Sequence, residues 1–335
     1  MRKRILFICG SLNQTTQMHR IAEQLSEHEC MFTPYYGNTL ETWLVFADLA
    51  EGTIAGNKLS ARCLEYLNQH RLPLDPGGRI RNYDLVLTCS DLVIEKNVRH
   101  YPIVVVQEGM TDPEGFASRL VKNVPFLPRW IAGTSMTGIS NQYQKFCVAS
   151  EGYRQLFIRK GADPARIVVT GIPNFDDFAA YCHNDFPHRD YVLVCTTDLR
   201  ETYRFERRDV LLRHVVNIAE GRRLIFKLHP NEKSERAIAE IRRYAPDALV
   251  YIHEDVGPLI ANCSVVVTQY SSVTFIGLAL GKRVYSCLDI DELERLMPIQ
   301  NGGRSAASIA RVCRQILTRS TAARSRPDVQ QAMAI

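Results

Sequence analysis

Short, continuous runs of β-branched and other apolar residues, each followed by a stretch with helical spacing, recur along the whole chain. RILFIC (4–9), YDLVLT (83–88), PIVVVQ (102–107), KFCVAS (145–150) and RIVVTG (166–171) occupy the first half, and YVLVCT (191–196), LIFKL (224–228), ALVYI (248–252), SVVVT (264–268) and RVYSC (283–287) the second. A strand with one wet face alternates apolar and polar residues, whereas a strand covered on both faces is apolar throughout. Runs of this form therefore belong to parallel sheets with helices on either side. Between them, QMHRIAEQLSEH places Met18, Ile21, Ala22 and Leu25 on one helical face, and ERAIAEIRRYA supplies another such segment in the second half. The expected fold class is α/β, built from repeated βα units.

A chain of 335 residues exceeds what one core serves, since a domain commonly runs to about 150 residues. The alternation breaks once, after Ile172, at PNFDDFAAYCHNDFPHRD, which is polar and aromatic and carries two prolines. The break predicts a doubly wound domain over 1–177, a linker over 178–190, a second doubly wound domain over 191–319 and a C-terminal tail over 320–335. The tail either packs back on the first domain or is loose.

Composition narrows the function classes. With 46% hydrophobic and 23% charged residues, disorder and fibrous architectures are excluded. A net charge of +5, with no zinc-finger spacing and no RNP-like aromatic string, argues against nucleic acid as a partner. Of the ten cysteines, Cys9, Cys89, Cys147, Cys195, Cys263 and Cys287 lie in or beside apolar runs, and none forms a CxxC. They read as reduced core thiols of a cytoplasmic protein. The opening Met-Arg-Lys-Arg is followed by too short an apolar stretch for an export signal, and no run approaches the roughly 18 apolar residues that cross a bilayer. Any membrane contact is expected to be peripheral, at the inner face.

In open parallel sheets, ligands bind beyond the carboxyl ends of strands, where helix N-termini converge. Five stretches stand at such ends. CGSLNQTTQ (9–17), with Gly10 and Asn13, lacks the GxGxxG spacing of a dinucleotide site and is either a turn feeding a capped helix or an acceptor-binding loop. In QEGMTD (107–112), Glu108 stands before Gly109, a placement suited to a general base that a substrate can approach closely, or to a carboxylate capping the next turn. TGIPNFD (170–176) is a hinge loop whose Asp176 is a candidate ligand contact. In KLHPN (227–231), Pro230 fixes the backbone after His229 and Lys227 either adds charge or faces solvent. TQYSSV (268–273) offers Ser271 and Ser272 as helix caps and, by the same geometry, as anion ligands.

Taken in order, these features resemble the glycosyltransferase-B superfamily, in which two Rossmann-like domains face each other across a cleft. KLHPN, QYSSV and ALGKR are similar to strings of the CDP-glycerol glycerophosphotransferases, with Glu108 where that family has a histidine. Glu108-Gly109, His229-Pro230 and Ser271-Ser272 resemble, in order, three strings of bacterial sialyl and Kdo transferases, with Gln107 in place of the first acid. VTGIPNFD and the position of Asp91 resemble the UDP-N-acetylglucosamine 2-epimerases, although YSSVTFIG replaces their DSGG string. TTDLRE (196–201), with Arg200, partly resembles their arginine-bearing loop.

The resemblance implies a glycosyltransferase of envelope or capsular polysaccharide synthesis. It would take its donor as a cytidine-activated sugar or glycerol and act on a saccharide or lipid-linked acceptor. Glu108 would take the acceptor proton, while His229, Ser271, Ser272, Lys227 and Arg200 would serve the donor phosphate. Gly10, Asn13, Gly109 and Asp176 would line the acceptor side. No cofactor is expected, and no DxD string or His/Cys cluster points to a metal. The alternatives are a UDP-N-acetylglucosamine 2-epimerase-like isomerase and a non-catalytic nucleotide-sugar-binding protein. Arg200, Arg204, Arg207, Arg208 and Arg213 form either a face for an anionic leaflet or a solvated helix face.

Overall fold

The computed structural model describes residues 2–36, 57–111, 114–124, 127, 129–201 and 205–324. The chain divides into two compact units, residues 1–176 with 303–335, and residues 177–302. The first is built on β1 (Arg4–Cys9), β2 (Glu29–Pro34), β3 (Leu85–Thr88), β4 (Ile103–Val106), β5 (Lys145–Val148) and β6 (Ile167–Val169). They lie in the order β2-β1-β3-β4-β5-β6, every pair parallel. Strands β3 and β4 are buried at every residue, as expected of apolar runs covered on both faces. Strand β2 is absent from the expected set. It carries Glu29, Thr33 and Pro34 among its six residues, the composition of an edge strand, which a search for apolar runs passes over.

The second unit contains β7 (Val192–Cys195), β8 (Leu224–Lys227), β9 (Leu249–Tyr251), β10 (Val265–Val267) and β11 (Arg283–Tyr285), in the order β11-β10-β7-β8-β9, again all parallel. Residues two apart share a sheet face. Val192, Val194, Phe226, Leu228, Val265 and Val267 accordingly pack with Leu212 and Val215 of the helix Arg208–Ala219 and with Ala237 and Ile241 of the helix Ser234–Tyr244. On the opposite face the helix Val273–Ala279 comes so close that a β-carbon on Gly277 would stand 2.9 Å from Val284 and 3.4 Å from Val266. Each fully buried Val, Leu, Ile or Phe contributes about 1.5–3 kcal/mol relative to exposure.

Two boundaries differ from the expected ones. Residues 178–190 belong to the second unit. Phe178 is buried there, a β-carbon on Gly257 would stand 2.2 Å from the Tyr181 ring, and Asn262 Nδ2 donates to Asn184 Oδ1 at 2.7 Å. Phe178 is thus buried and Tyr181 and Phe186 are half-buried, as the rings of a solvated linker would not be. Residues 303–319 belong to the first unit, in the helix Ser305–Arg324, whose Arg314 reaches Glu27 Oε1 and the Gln24 carbonyl, both at 2.6 Å. Residues 325–335 of the expected tail lie outside the described residues.

All ten cysteines are free. Cys287, expected in the core, is exposed, because it follows the edge strand β11. Among the described residues no helix is long and apolar enough to cross a membrane.

In each sheet the chain leaves one strand to both sides. From β1 it passes to β2 on one side and β3 on the other; from β7 it passes to β8 on one side and later to β10 on the other. The carboxyl ends flanking these reversals are where open parallel sheets form binding crevices.

Candidate functional sites in the two units

In the first unit, Glu108 lies two residues beyond β4 and opposite the head of the helix Leu12–Glu23. Ser11 caps that helix, its Oγ accepting the Gln14 N–H at 3.2 Å and donating to Glu108 Oε1 at 2.7 Å. Gln14 Nε2 donates to Glu108 Oε2 at 2.6 Å, and Asn13 Nδ2 reaches the Glu108 carbonyl at 3.5 Å. The spacing S-x-x-Q is that of a capping box, in which the glutamine ordinarily turns back to the cap. Here it turns to a carboxylate from another strand, where the positive end of the helix favours an anion. Each Glu108 oxygen accepts one bond from this pair and keeps a second lone pair for a ligand.

The neighbouring residues are braces. Gln107 is buried, its Oε1 accepting the Ala149 N–H at 2.9 Å and its Nε2 donating to the Gly109 carbonyl at 2.7 Å. A neutral amide can do both, whereas an ionised acid could not donate. The Gln107 carbonyl accepts from Gln17 Nε2 at 2.9 Å. Asn174 Nδ2 donates to the Asn13 carbonyl at 2.8 Å and to Asn13 Oδ1 at 2.6 Å, tying the loop after β6 to the helix head. Gly10 is buried at the end of β1. The space above Gly109 is occupied by the Phe175 ring, 3.4 Å from where a β-carbon would stand. Asp176 is buried, and its Oδ2 accepts the Ser305 N–H at 2.8 Å, so this carboxylate holds the head of the last helix. Asp91 has a similar task, its two oxygens accepting the Gly138 and Ser140 N–H groups at 2.6 and 2.9 Å. Asp112 lies outside the described residues.

In the second unit, the ends of β8, β7 and β10 stand side by side. His229 N donates to Thr196 Oγ1 at 3.1 Å, Thr196 donates to Glu232 Oε2 at 2.5 Å, and Glu232 N donates back to the His229 carbonyl at 3.0 Å, closing a ring around the turn at Pro230. The imidazole Nδ1 accepts the Asn231 N–H at 3.3 Å, so the neutral ring carries its hydrogen on Nε2. Burial pushes the His229 pKa below its ordinary value. The carboxylates of Asp198, Glu232 and Glu201 oppose that shift and Lys227 adds to it. At pH 7 and above the lowered pKa makes His229 a neutral donor through Nε2.

On the β10 side, Thr197 donates to Gln269 Oε1 at 3.1 Å and Thr268 to the Cys195 carbonyl at 2.9 Å, joining the loops after β7 and β10. Ser271 Oγ accepts the Val273 N–H at 3.4 Å, while Ser272, the residue before the helix Val273–Ala279, makes no side-chain capping bond. Tyr270, directly before them, is 51% exposed.

Two residues expected at the phosphate are engaged elsewhere. Lys227 Nζ donates to the carbonyls of Leu228 and Ile252 at 2.9 and 3.0 Å, and burial lowers its pKa. Arg200 pairs with Glu240 at 2.8 Å, Glu206 at 3.0 Å and Glu232 at 3.6 Å. Arg208, also buried, holds Glu206 at 3.0 Å and Glu232. Of the expected basic face, Arg200 and Arg208 thus turn to internal carboxylates, whereas Arg207 and Arg213 are exposed. Arg213 pairs with Asp209 at 2.9 Å, and Arg204 lies outside the described residues. Ser11, Gln14 and Asn174 in the first unit, and Thr196, Asp198 and Glu232 in the second, are site residues that sequence reasoning left out. TTDLRE, polar directly after an apolar run, meets the criterion that singled out KLHPN.

No protein-family model matches the chain, and no curated protein sequence matches it. Its backbone is similar over nearly its whole length to several solved structures. One, from Listeria monocytogenes and described as a UDP-N-acetylglucosamine 2-epimerase, is 14% identical with a TM-score of 0.60 over 98% of this chain and 99% of that one. The Methanocaldococcus jannaschii UDP-GlcNAc 2-epimerase, in complex with UDP-GlcNAc and UDP, is 13% identical with a TM-score of 0.57 over 93% and 99%. The Neisseria meningitidis UDP-GlcNAc 2-epimerase bound to UDP-GlcNAc is 12% identical with a TM-score of 0.52 over 93% and 100%. At this identity the likeness shows the fold: two Rossmann-like, parallel-sheet α/β units of the glycosyltransferase-B type.

Proposed function

We propose that the protein is a nucleotide-sugar enzyme of the isomerase type, acting on a UDP-linked N-acetylhexosamine. The observation that carries the nucleotide part is the convergence of Nε2 of a neutral His229, the Thr196–Asp198 loop and the Ser271-Ser272 pair at the ends of three adjacent parallel strands in the second unit. Such an arrangement offers fixed, uncharged donors to a phosphate, and fixed donors at a developing oxyanion contribute a few kcal/mol. Glu108 supplies the second part. Inverting a carbon by proton transfer breaks its C–H bond while the electron pair expels the adjacent phosphate, and remakes the bond on the other face as the phosphate returns; a carboxylate held by Ser11 and Gln14 can take that proton. The end-to-end backbone likeness to UDP-GlcNAc 2-epimerases supports isomerisation over transfer.

The chain carries YSSV (270–273) where the resemblance to the epimerase family implies DSGG, and that string favours a second reading. In it the group moves from a cytidine-activated donor to a hydroxyl acceptor, with Glu108 taking the acceptor proton. Incubation with UDP-GlcNAc alone in deuterated water separates the two. An isomerase yields a second UDP-hexosamine carrying solvent deuterium at the inverted carbon, and Glu108→Gln loses that exchange. If UDP-GlcNAc is returned unchanged and undeuterated, while CMP or CDP is released only when an acceptor is present, the isomerase reading fails and the transferase reading stands.

A further inference from the structure

His229 has a neighbour that the phosphate reading leaves unused. Asp198, on the loop after β7, stands with Oδ2 3.5 Å from His229 Nδ1 and accepts the side-chain amide of Asn231 at 3.0 Å. Asn231 donates its backbone N–H to the same Nδ1 at 3.3 Å. One residue thus tethers both possible partners of that nitrogen. A ring nitrogen cannot accept from Asn231 and carry a hydrogen at once, so the contact with Asp198 becomes a hydrogen bond only when Nδ1 carries a hydrogen, and with Nε2–H kept as a donor that state is the protonated ring.

Resting on the proposal that His229 serves a nucleotide phosphate, we infer that Asp198 is the positioning residue of His229, and that the pair takes up one proton when the phosphate binds. The proton comes from solvent and adds to Nδ1. The Asn231 N–H gives way, Asp198 Oδ2 accepts the new N–H, and the Nε2–H of the imidazolium donates to a phosphate oxygen. No other bond changes. The charged groups facing the ring are Asp198 and Glu201 from the loop after β7, and Glu232 and Lys227 from β8 and its turn. Glu232 is held by Arg208, Glu201 by Arg236 and Lys227 by two carbonyls, while Asp198 is the carboxylate whose oxygen stands 3.5 Å from Nδ1. The site is therefore uncharged at the ring when empty and cationic only when an anion fills it.

The test is calorimetric titration of UDP and of CDP into the full chain at pH 8, in buffers of different ionisation enthalpy. The heat difference between buffers counts the protons taken up. The wild type is expected to gain up to about one proton per nucleotide, with Kd rising by up to about tenfold per pH unit in the alkaline direction. His229→Gln, sharing any contribution from the ligand's own titration, sets the zero. Asp198→Asn keeps the Asn231 bond and is expected to fall to that zero, and Asp198→Ser repeats the test if the asparagine variant folds poorly by circular dichroism. If Asp198→Asn takes up as many protons as the wild type while His229→Gln still weakens binding, the role of Asp198 is overturned and the phosphate reading survives. If neither nucleotide binds, or His229→Gln binds as the wild type does, the phosphate reading itself falls, and the inference with it.

Discussion

Replacing Arg208 by methionine keeps most of the side chain's apolar stem and deletes its charge. The side chains of Arg208, Glu206 and Glu232 are 4%, 0% and 0% exposed. Without Arg208, the guanidinium of Arg200 is left to serve Glu206, Glu232 and Glu240. Removing one partner of a buried ion pair costs about 3–5 kcal/mol, because the remaining charge stays desolvated. By contrast Arg213 and Asp209, whose side chains are 64% and 43% exposed, form a pair worth about 0.2–1 kcal/mol.

The two variants therefore bracket an order of magnitude within one unit. Trp43 and Trp130 both precede residue 177, so the second unit carries no indole of its own to report on its opening. Hydrogen exchange followed by mass spectrometry on peptides covering β7 and β8 does. At 1.36 kcal/mol per factor of ten, Arg208→Met should raise the slowest exchange rates roughly 10²- to 10⁴-fold, and Arg213→Ala less than about tenfold. Combining Arg208→Met with Glu206→Gln and Glu232→Gln removes the stranded charges and should recover much of the loss. Equal exchange in Arg208→Met and Arg213→Ala would refute the claim that this cluster is desolvated.

Glu108→Gln should leave UDP binding within a few-fold of wild type while lowering turnover by about 10²- to 10⁴-fold, the usual contribution of a positioned base; steady-state kinetics on the preferred nucleotide sugar check it. His229 has a folded pKa below its unfolded value of about 6.5, owing first to burial, so below that value the unfolded chain binds the proton more readily. Its contribution is complete above about pH 6.5 and is lost as pH falls through the lowered folded value. The drop in Tm of the second unit between pH 7.5 and 5.5 should accordingly be smaller in His229→Gln, as calorimetry can measure. Gly257→Ala forces a β-carbon to within 2.2 Å of Tyr181 and should cost about 1–3 kcal/mol, making the stretch 178–190 the first site of limited proteolysis; unchanged cleavage there would mean that the stretch does not depend on this packing.

The ten apolar runs were legible as strands because short apolar, β-branched stretches mark a strand locally, even in β9 and β11, whose residues are only partly buried or exposed at the sheet edges, and the polar endings at Glu108 and His229 stood out against them. What the runs do not carry is partnership. Strand β2 lies at an edge, where Glu29 and Pro34 are tolerated, and its apolar mark is correspondingly weak. The last helix has the spacing of any amphipathic helix, and its place in the first unit depends on Arg314 meeting Glu27 and on Asp176 meeting Ser305, pairs 287 and 129 residues apart in sequence. Arg200 looked free for a phosphate because Glu206, Glu232 and Glu240 are distributed over a loop, a turn and a helix, a grouping that only the folded sheet assembles.

The serines make the limit sharper. Ser11 and Ser271-Ser272 give the same signal, a hydroxyl before a helix, and capping is the economical explanation of all three. In the structure Ser11 does cap, and the same hydroxyl also donates to Glu108, so its helical role and its site role are one geometry that no local pattern can divide. Ser271 likewise accepts the Val273 N–H, and a capping need explains it. Ser272 makes no such bond at the head of a helix only seven residues long, so helix formation does not account for its hydroxyl. Of the three serines it is therefore the one whose replacement by alanine should leave the helix intact and report on ligand binding alone.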